Sequence, residues 1–324
     1  MAMVSGLTVA NLYYNQPLLE DIRKDLNVNE VQANFITFVT QVGYALGLLL
    51  VVPLADMWSR RKIAATSMIL AAMMAVVIAF ATRVQVLWAA SLVLGVCSVI
   101  PQMFVPMARL YSLPQNQSRN MGYVLSGLLS GVLGARVVSG YVGDWLGWRT
   151  MFGVAAGIML VCLVVSLRML PRMRPTYQGS FAGLMHSILR IYKEHTLIRL
   201  YSVRAAFAFG SMMTVWSCMA FHLAGAPFYA SSEAVGMLGL CGMAGAMAAS
   251  GIGRFIPRFG IMRISLVGSL LQLAAWTVAW CFADSYLGLI ATIILVDIGA
   301  QCHQLSNQSG CLAQTPHATN RSNT

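Results

Sequence analysis

Leu54-Ala55-Asp56-Met57-Trp58-Ser59-Arg60-Arg61-Lys62 closes one long apolar run with a basic turn, and Phe255-Ile256-Pro257-Arg258-Phe259-Gly260-Ile261-Met262-Arg263 closes another. Overlaying the turns sets Pro257 against Asp56, 201 residues apart, and the pair Pro114 and Arg119 recurs as Pro316 and Arg321, 202 residues on. A positively charged turn after an apolar run marks a chain leaving a membrane on its cytoplasmic side. Its recurrence points to two pseudo-repeated halves. Counterparts of residues beyond about 122 would fall past Thr324, so the second copy is expected to be unfinished.

Composition agrees with a bilayer environment. Hydrophobic residues make up 58% of the 324 and charged residues 10%, well below the roughly 25% of soluble domains. The net charge of +11 is explained by where the cations lie, so no nucleic-acid partner is expected. Reading between charged and turn-rich breaks gives ten candidate spans at 1–19, 32–54, 64–82, 85–108, 121–143, 150–169, 200–223, 234–253, 264–283 and 286–309. Each is near the ~20 residues that a helix needs to cross. With a cytoplasmic amino terminus, every Lys and Arg falls inside except Arg23, Lys24, Arg83, Arg149 and the intramembrane Arg136, as the positive-inside rule requires. The first span lacks a basic n-region and reads as retained. Seven cysteines without CxxC spacing read as buried free thiols, with no metal or cofactor site.

The longest polar stretch separates six spans from four. The expected organisation is an amino-terminal six-helix half at 1–169, a basic cytoplasmic linker at 170–199 and an incomplete four-helix half at 200–324. Within the linker, Phe181, Leu184, Ile188, Ile191 and Tyr192 recur at near-helical spacing, which predicts an amphipathic helix on the membrane surface.

Six spans, a basic linker and the repeated turn resemble the major facilitator superfamily. The first turn follows its signature G-x-L-A-D-R-x-G-R-K/R through Leu54, Ala55, Asp56, Arg60 and Arg61, with Lys62 extending the basic run; Val52, Met57 and Ser59 depart from it. The fifth span is similar to the antiporter signature G-x-x-x-G-P-x-x-G-G from Gly131 to Gly140, with Ala135 for Gly and Arg136 for Pro. The family's fourth-span arginine would fall near Ser91 and is absent. Asn11-Leu12-Tyr13-Tyr14-Asn15-Gln16-Pro17, with the region from Asp297 to Gln308, looks like a bacterial inner-membrane efflux branch. The resemblance implies an all-α bundle with ten of an expected twelve transmembrane helices. It also implies an eleventh helix beside the second span near Asp56, without which Gly43 and Gly47 are expected to meet lipid or a wrong helix.

Polar residues inside spans are the candidate site. Gly127, Gly131, Ala135 and Ser139 recur every four residues, next to Gly140, and form a small-residue packing face. Asn11, Tyr14 and Asn15 share one helical face in the first span, as do Asn34, Thr37, Gln41 and Tyr44 in the second. Gln102 lies between Pro101 and Pro106, which predict a bend. Asp297, Gln301, Gln304 and Gln308 form the longest stripe, with His303 one residue outside it. An ionisable group at this depth is costly and marks function or a partner, so Asp297, Arg136 and His303 are the proton-coupling candidates. The amide stripes suit sugars, amphipathic drugs and amino-acid derivatives alike. No G-x-S-x-G, H-E-x-x-H or P-loop is present, so no enzyme is expected. The expected function is proton-coupled efflux of a small molecule by alternating access across a bacterial inner membrane, both termini cytoplasmic. The alternative is a truncated, non-transporting product of a disrupted reading frame.

Overall fold

A computed structural model describes residues 1–113, 116–170, 180–242, 252, 255–256 and 258–314, apart from the side chains of residues 56, 109, 110, 118, 312 and 313. The described elements are all helical: α1 (Ala2–Val9), α2 (Leu19–Leu26), α3 (Glu30–Met57), α4 (Arg60–Ala79), α5 (Val84–Cys97), α6 (Ile100–Leu110), α7 (Gln117–Leu146), α8 (Trp148–Met169), α9 (Phe181–Glu194), α10 (Thr196–Ala224), α11 (Ser232–Leu238), α12 (Ile261–Cys281) and α13 (Tyr286–Gln314), with one 3-10 turn, Ala10–Leu12. Among the described residues, eight helical stretches are long and apolar enough to cross a membrane, and Ala2–Leu12 is a shorter apolar segment. Helices satisfy every main-chain group internally, which is what a bilayer demands.

Local chemistry sets the breaks. Asn27 adopts a left-handed conformation (φ 51°) and ends α2. Asn29 and Gln32 then form a reciprocal capping box that starts α3, at 2.8 and 3.1 Å. Gly147, at φ 84°, lets α7 stop and α8 begin without a connecting loop. At the signature turn, Arg60 donates from Nε to the Ala55 carbonyl at 3.2 Å, and Arg61 donates to the Leu167 carbonyl of α8. A cation at the carboxyl end of α3 is favoured by the helix dipole. Asp56 lies in the last turn of α3, with its side chain outside the described residues.

Two expectations need correction. The first span is not one helix: α1 gives way to the 3-10 turn and then to turns over 13–18, because Pro17 supplies no N–H and disfavours helical geometry at Gln16. The fourth span, by contrast, stands as expected at Val84–Ala108, with the bend that its prolines predict falling at Ser98–Val99, just before Pro101. Gly43 and Gly47 do not face lipid but pack against α5. A Cβ on Gly47 would stand 2.5 Å from the Val96 carbonyl oxygen, and one on Gly95 would stand 2.9 Å from the Tyr44 nitrogen. Half of the eighth expected span, 234–253, lies outside the described residues, as do Pro114, Pro316 and Arg321. The seven cysteines are outside any disulfide, yet only Cys97, Cys162 and Cys302 are buried, while Cys218 and Cys281 are exposed.

The chain forms two units. Unit 1 holds Met1–Phe181 with Ala220–Gly225 and Tyr229–Met237; unit 2 holds Ala182–Met219, Ala226–Phe228 and Leu238–Thr324. In unit 1, α3 packs on α5, α4 on α8, and α1 on α7. In unit 2, α12 and α13 pack closely along Gly268 and Gly299: a Cβ on either would lie 2.8 to 2.9 Å from atoms of the other helix. The helix expected within 170–199 is α9, with Leu184 buried, Tyr192 exposed and Arg190 paired to Glu194 at 2.6 Å.

Candidate functional site

In unit 1 the broken first span brings a polar cluster together. Arg136 of α7 is 3% exposed, donates from Nε to Gln16 Oε1 at 2.8 Å, and stands 5.0 Å from the centre of the Tyr13 ring. The unwinding before Pro17 is what turns Gln16 and Tyr13 toward α7. Asn15 donates to Thr40 Oγ1 at 3.4 Å, and Asn11 donates to the Met159 sulfur at 3.2 Å. Oδ1 of Asn11, Oδ1 of Asn15, Oγ1 of Thr37 and Nε2 of Gln41 are buried without a protein hydrogen-bond partner. Buried orphans of this kind each cost about 1–3 kcal/mol unless a polar ligand or water meets them. Gln102 donates to the Tyr44 hydroxyl at 3.0 Å, joining α6 to α3. Tyr14 is buried in the turn region and Asn34 is half-buried on α3.

The small-residue face of α7 serves two neighbours. Gly127 and Gly131 meet the backbone of α1 at Ala2 and Gly6, whereas a Cβ on Gly140 would stand 2.6 Å from the Ser232 carbonyl oxygen. Ala135 and Ser139 are buried between them, the Ser139 hydroxyl donating to the Arg136 carbonyl at 3.3 Å.

In unit 2, Asp297 of α13 is 7% exposed and accepts from Trp216 Nε1 of α10 at 3.2 Å. The stripe drawn from sequence divides: Gln301 is half-buried, while Gln304 and Gln308 are exposed. The buried polar face is the neighbouring one. His303 has Nδ1 3.0 Å from Ser265 Oγ and Nε2 3.2 Å from Ser269 Oγ, so α12 engages both ring nitrogens. Asn307, one turn on, accepts from Arg204 Nε at 2.7 Å. Arg136 belongs to unit 1, Asp297 and His303 to unit 2.

Gln16, Tyr13, Thr40, Trp216, Ser265 and Arg204 were not singled out as candidates from sequence. Gln16 stood inside the quoted Asn11–Pro17 stretch, and Arg204 was a cation at the edge of an apolar run. Trp216 and Ser265 gave no signal, because apolar spans commonly carry both residue types.

This architecture has known relatives. The sequence matches the Major Facilitator Superfamily over residues 1–322. It is 33% identical over 321 residues to the uncharacterized transporter YgaY of Escherichia coli O157:H7, covering 99% of this chain and 82% of that protein. It is 30% identical over 319 residues to the probable transporter SCO4007 of Streptomyces coelicolor, covering 97% and 74%. Among solved structures, a bacterial homolog of the human lysosomal transporter Spinster superposes with a TM-score of 0.78 at 15% identity, covering 99% of this chain and 75% of that one. A point mutant of the nucleoside transporter NupG superposes with a TM-score of 0.80 at 13% identity, covering 99% and 84%. The buried charges and amide clusters therefore sit in a bundle of transporter type, and the chain belongs to the major facilitator superfamily.

Proposed function

We propose that this membrane transporter exports a small polar molecule in exchange for protons, by alternating access of its two halves across a bacterial inner membrane with both termini in the cytoplasm. One observation carries the coupling: Asp297, a carboxylate 7% exposed in the body of a spanning helix and held by the Trp216 indole. An ionisable group so placed is a functional group by default in a membrane protein, since its desolvation costs roughly 2.5 to 3.5 kcal/mol on insertion scales. A carboxylate that takes up and releases a proton there changes the charge of the pathway once per cycle. Arg136 and His303 are the supporting candidates, Arg136 for a substrate dipole or anionic group and His303 for a second proton. The amides and hydroxyls of Asn11, Asn15, Asn34, Thr37, Gln41, Tyr14, Tyr44 and Gln102 in unit 1, and of Gln301, Gln304 and Gln308 in unit 2, are the proposed substrate contacts. They offer donors and acceptors together, which suits a hydroxylated or amide-bearing substrate.

The test is Asp297→Asn in proteoliposomes. The side chain keeps its shape and an acceptor for Trp216 but cannot titrate. Flux driven by a pH gradient should vanish while substrate counterflow at equal pH persists. Wild-type pH-driven flux in this variant would remove Asp297 as the coupling site.

A further inference from the structure

At the end of unit 1 opposite the Arg60 turn, a cavity of about 290 Å³ opens between α2, the end of α7 and the segment Tyr229–Val235. It is lined by Glu20, Asp21 and Lys24 of α2, Asp144 of α7, and Tyr229, Ser231 and Ser232. Glu20 is already held by Arg23 at 2.6 Å and Lys24 at 3.4 Å, and these partners keep its carboxyl below its ordinary range. Asp21 has no such cation clasp. One of its oxygens, Oδ2, is buried with no hydrogen-bond partner, and its carboxylate is bonded by the Ser232 hydroxyl.

Ser232 stands at a crossing with no room to spare. Its hydroxyl also points at the Gly140 carbonyl, at 3.4 Å. A Cβ on Gly140 would stand 2.6 Å from the Ser232 carbonyl oxygen and 2.9 Å from the Gly236 Cα; one on Gly236 would stand 2.6 Å from the Arg136 carbonyl oxygen. The backbones of α7 and α11 thus touch directly beside the hydroxyl that Asp21 competes for.

From this geometry we infer that Asp21 is a proton-binding site that operates a clamp: when protonated it fastens the Tyr229–Met237 segment onto α2 and α7, and when ionised it loosens it. The hydrogen-bond inventory gives the reason. A serine hydroxyl has one proton to donate, so with Asp21 ionised it serves either the carboxylate or the Gly140 carbonyl. With Asp21 protonated, the acid O–H donates to Ser232 Oγ and the serine proton goes on to Gly140, so both contacts form at once. The one covalent change is the carboxyl O–H bond of Asp21, formed with a proton taken from bulk water and broken when that proton returns to it.

The surrounding charges agree. Burial is the main cause that raises the Asp21 carboxyl above its ordinary value; Asp144 and Glu20 raise it further, while the Ser232 bond and Lys24 act against them. On the facing segment Glu233 is engaged with the Tyr141 hydroxyl. Arg23 is committed to Glu20 with Glu30 of α3 nearby, and Arg149 of α8 pairs with Asp25. For an acid whose clamped-state pKa is raised, the clamp is strongest when both states are protonated and weakens as pH rises through the raised pKa. Between the unclamped and clamped pKa values, raising the pH by one weakens the clamp equilibrium about tenfold.

Hydrogen exchange of the full chain in lipid nanodiscs, corrected for intrinsic pH dependence, reads the clamp directly. Amides of residues 229–238 should be protected in acid and lose protection severalfold toward neutral pH. Asp21→Asn, whose amide can donate to Ser232 without titrating, should stay protected throughout, and Asp21→Ala should stay unprotected throughout. Asp297→Asn should keep the wild-type profile, which separates the clamp from the proposed coupling site. A flat wild-type profile, or an Asp21→Asn profile that still follows pH, would overturn the inference.

Discussion

Arg136 and Asp297 show how much a single buried charge constrains its surroundings. Arg136 is met by an amide oxygen and an aromatic face, a mixture that makes a buried guanidinium tolerable. Arg136→Ala strips Gln16 Oε1 of this donor and removes the cation–π contact, so stability should fall by about 1–3 kcal/mol, read as a lower thermal midpoint in detergent with altered substrate affinity. Arg136→Lys should recover little of either, because a point charge does not replace the planar fork. Unchanged melting and binding in the alanine variant would deny the residue any role. Both charges were legible in the sequence, since an ionisable residue in an apolar run stands out. Their partners were not: Gln16 reaches α7 only because the chain unwinds before Pro17, and Trp216 meets Asp297 through the register of α10 on α13, which no periodicity within one helix encodes.

Helices in a bilayer gain little from burying apolar surface against one another, so close approach at small residues carries much of their association. The α1–α7 crossing makes this testable within one helix. At Gly131 the α1 backbone at Gly6 leaves no space for a Cβ, whereas a Cβ on Gly134 meets nothing within 4 Å. Gly131→Ala should therefore destabilise by about 1–3 kcal/mol as an overpacked site, while Gly134→Ala should be neutral or stabilising by up to ~1 kcal/mol through helix propensity. Comparing the two melting points checks the claim, and equal shifts would refute it. The four-residue spacing of Gly127, Gly131, Ala135 and Ser139 was readable directly. That Gly140 serves α11 rather than α1 was not, because it depends on where two helices cross. The same holds for Gly43 and Gly47: their small-residue face was visible, but that α5 covers it follows from tertiary packing.

Across the whole molecule, the all-helical membrane bundle came from hydropathy, with ten spans expected and eight found long and apolar enough to cross among the described residues. The division of contacts did not: residues 220–225 and 229–237 group with unit 1, although they follow the linker in sequence. The proposed orientation predicts that reporter fusions after Arg61 and within 180–190 read cytoplasm and one after Ser231 reads exterior; an external linker would reverse the assignment. It also sets the Asp21 cavity on the outer side, where it would sense external acidity. Proton-coupled export is read from flux in proteoliposomes under an imposed pH gradient, with sugars, amino-acid derivatives and amphipathic drugs tested as substrates. One of these classes should move against its gradient toward the acidic compartment while protons move the other way; a substrate that equilibrates at the same rate whatever the pH gradient would rule out proton coupling.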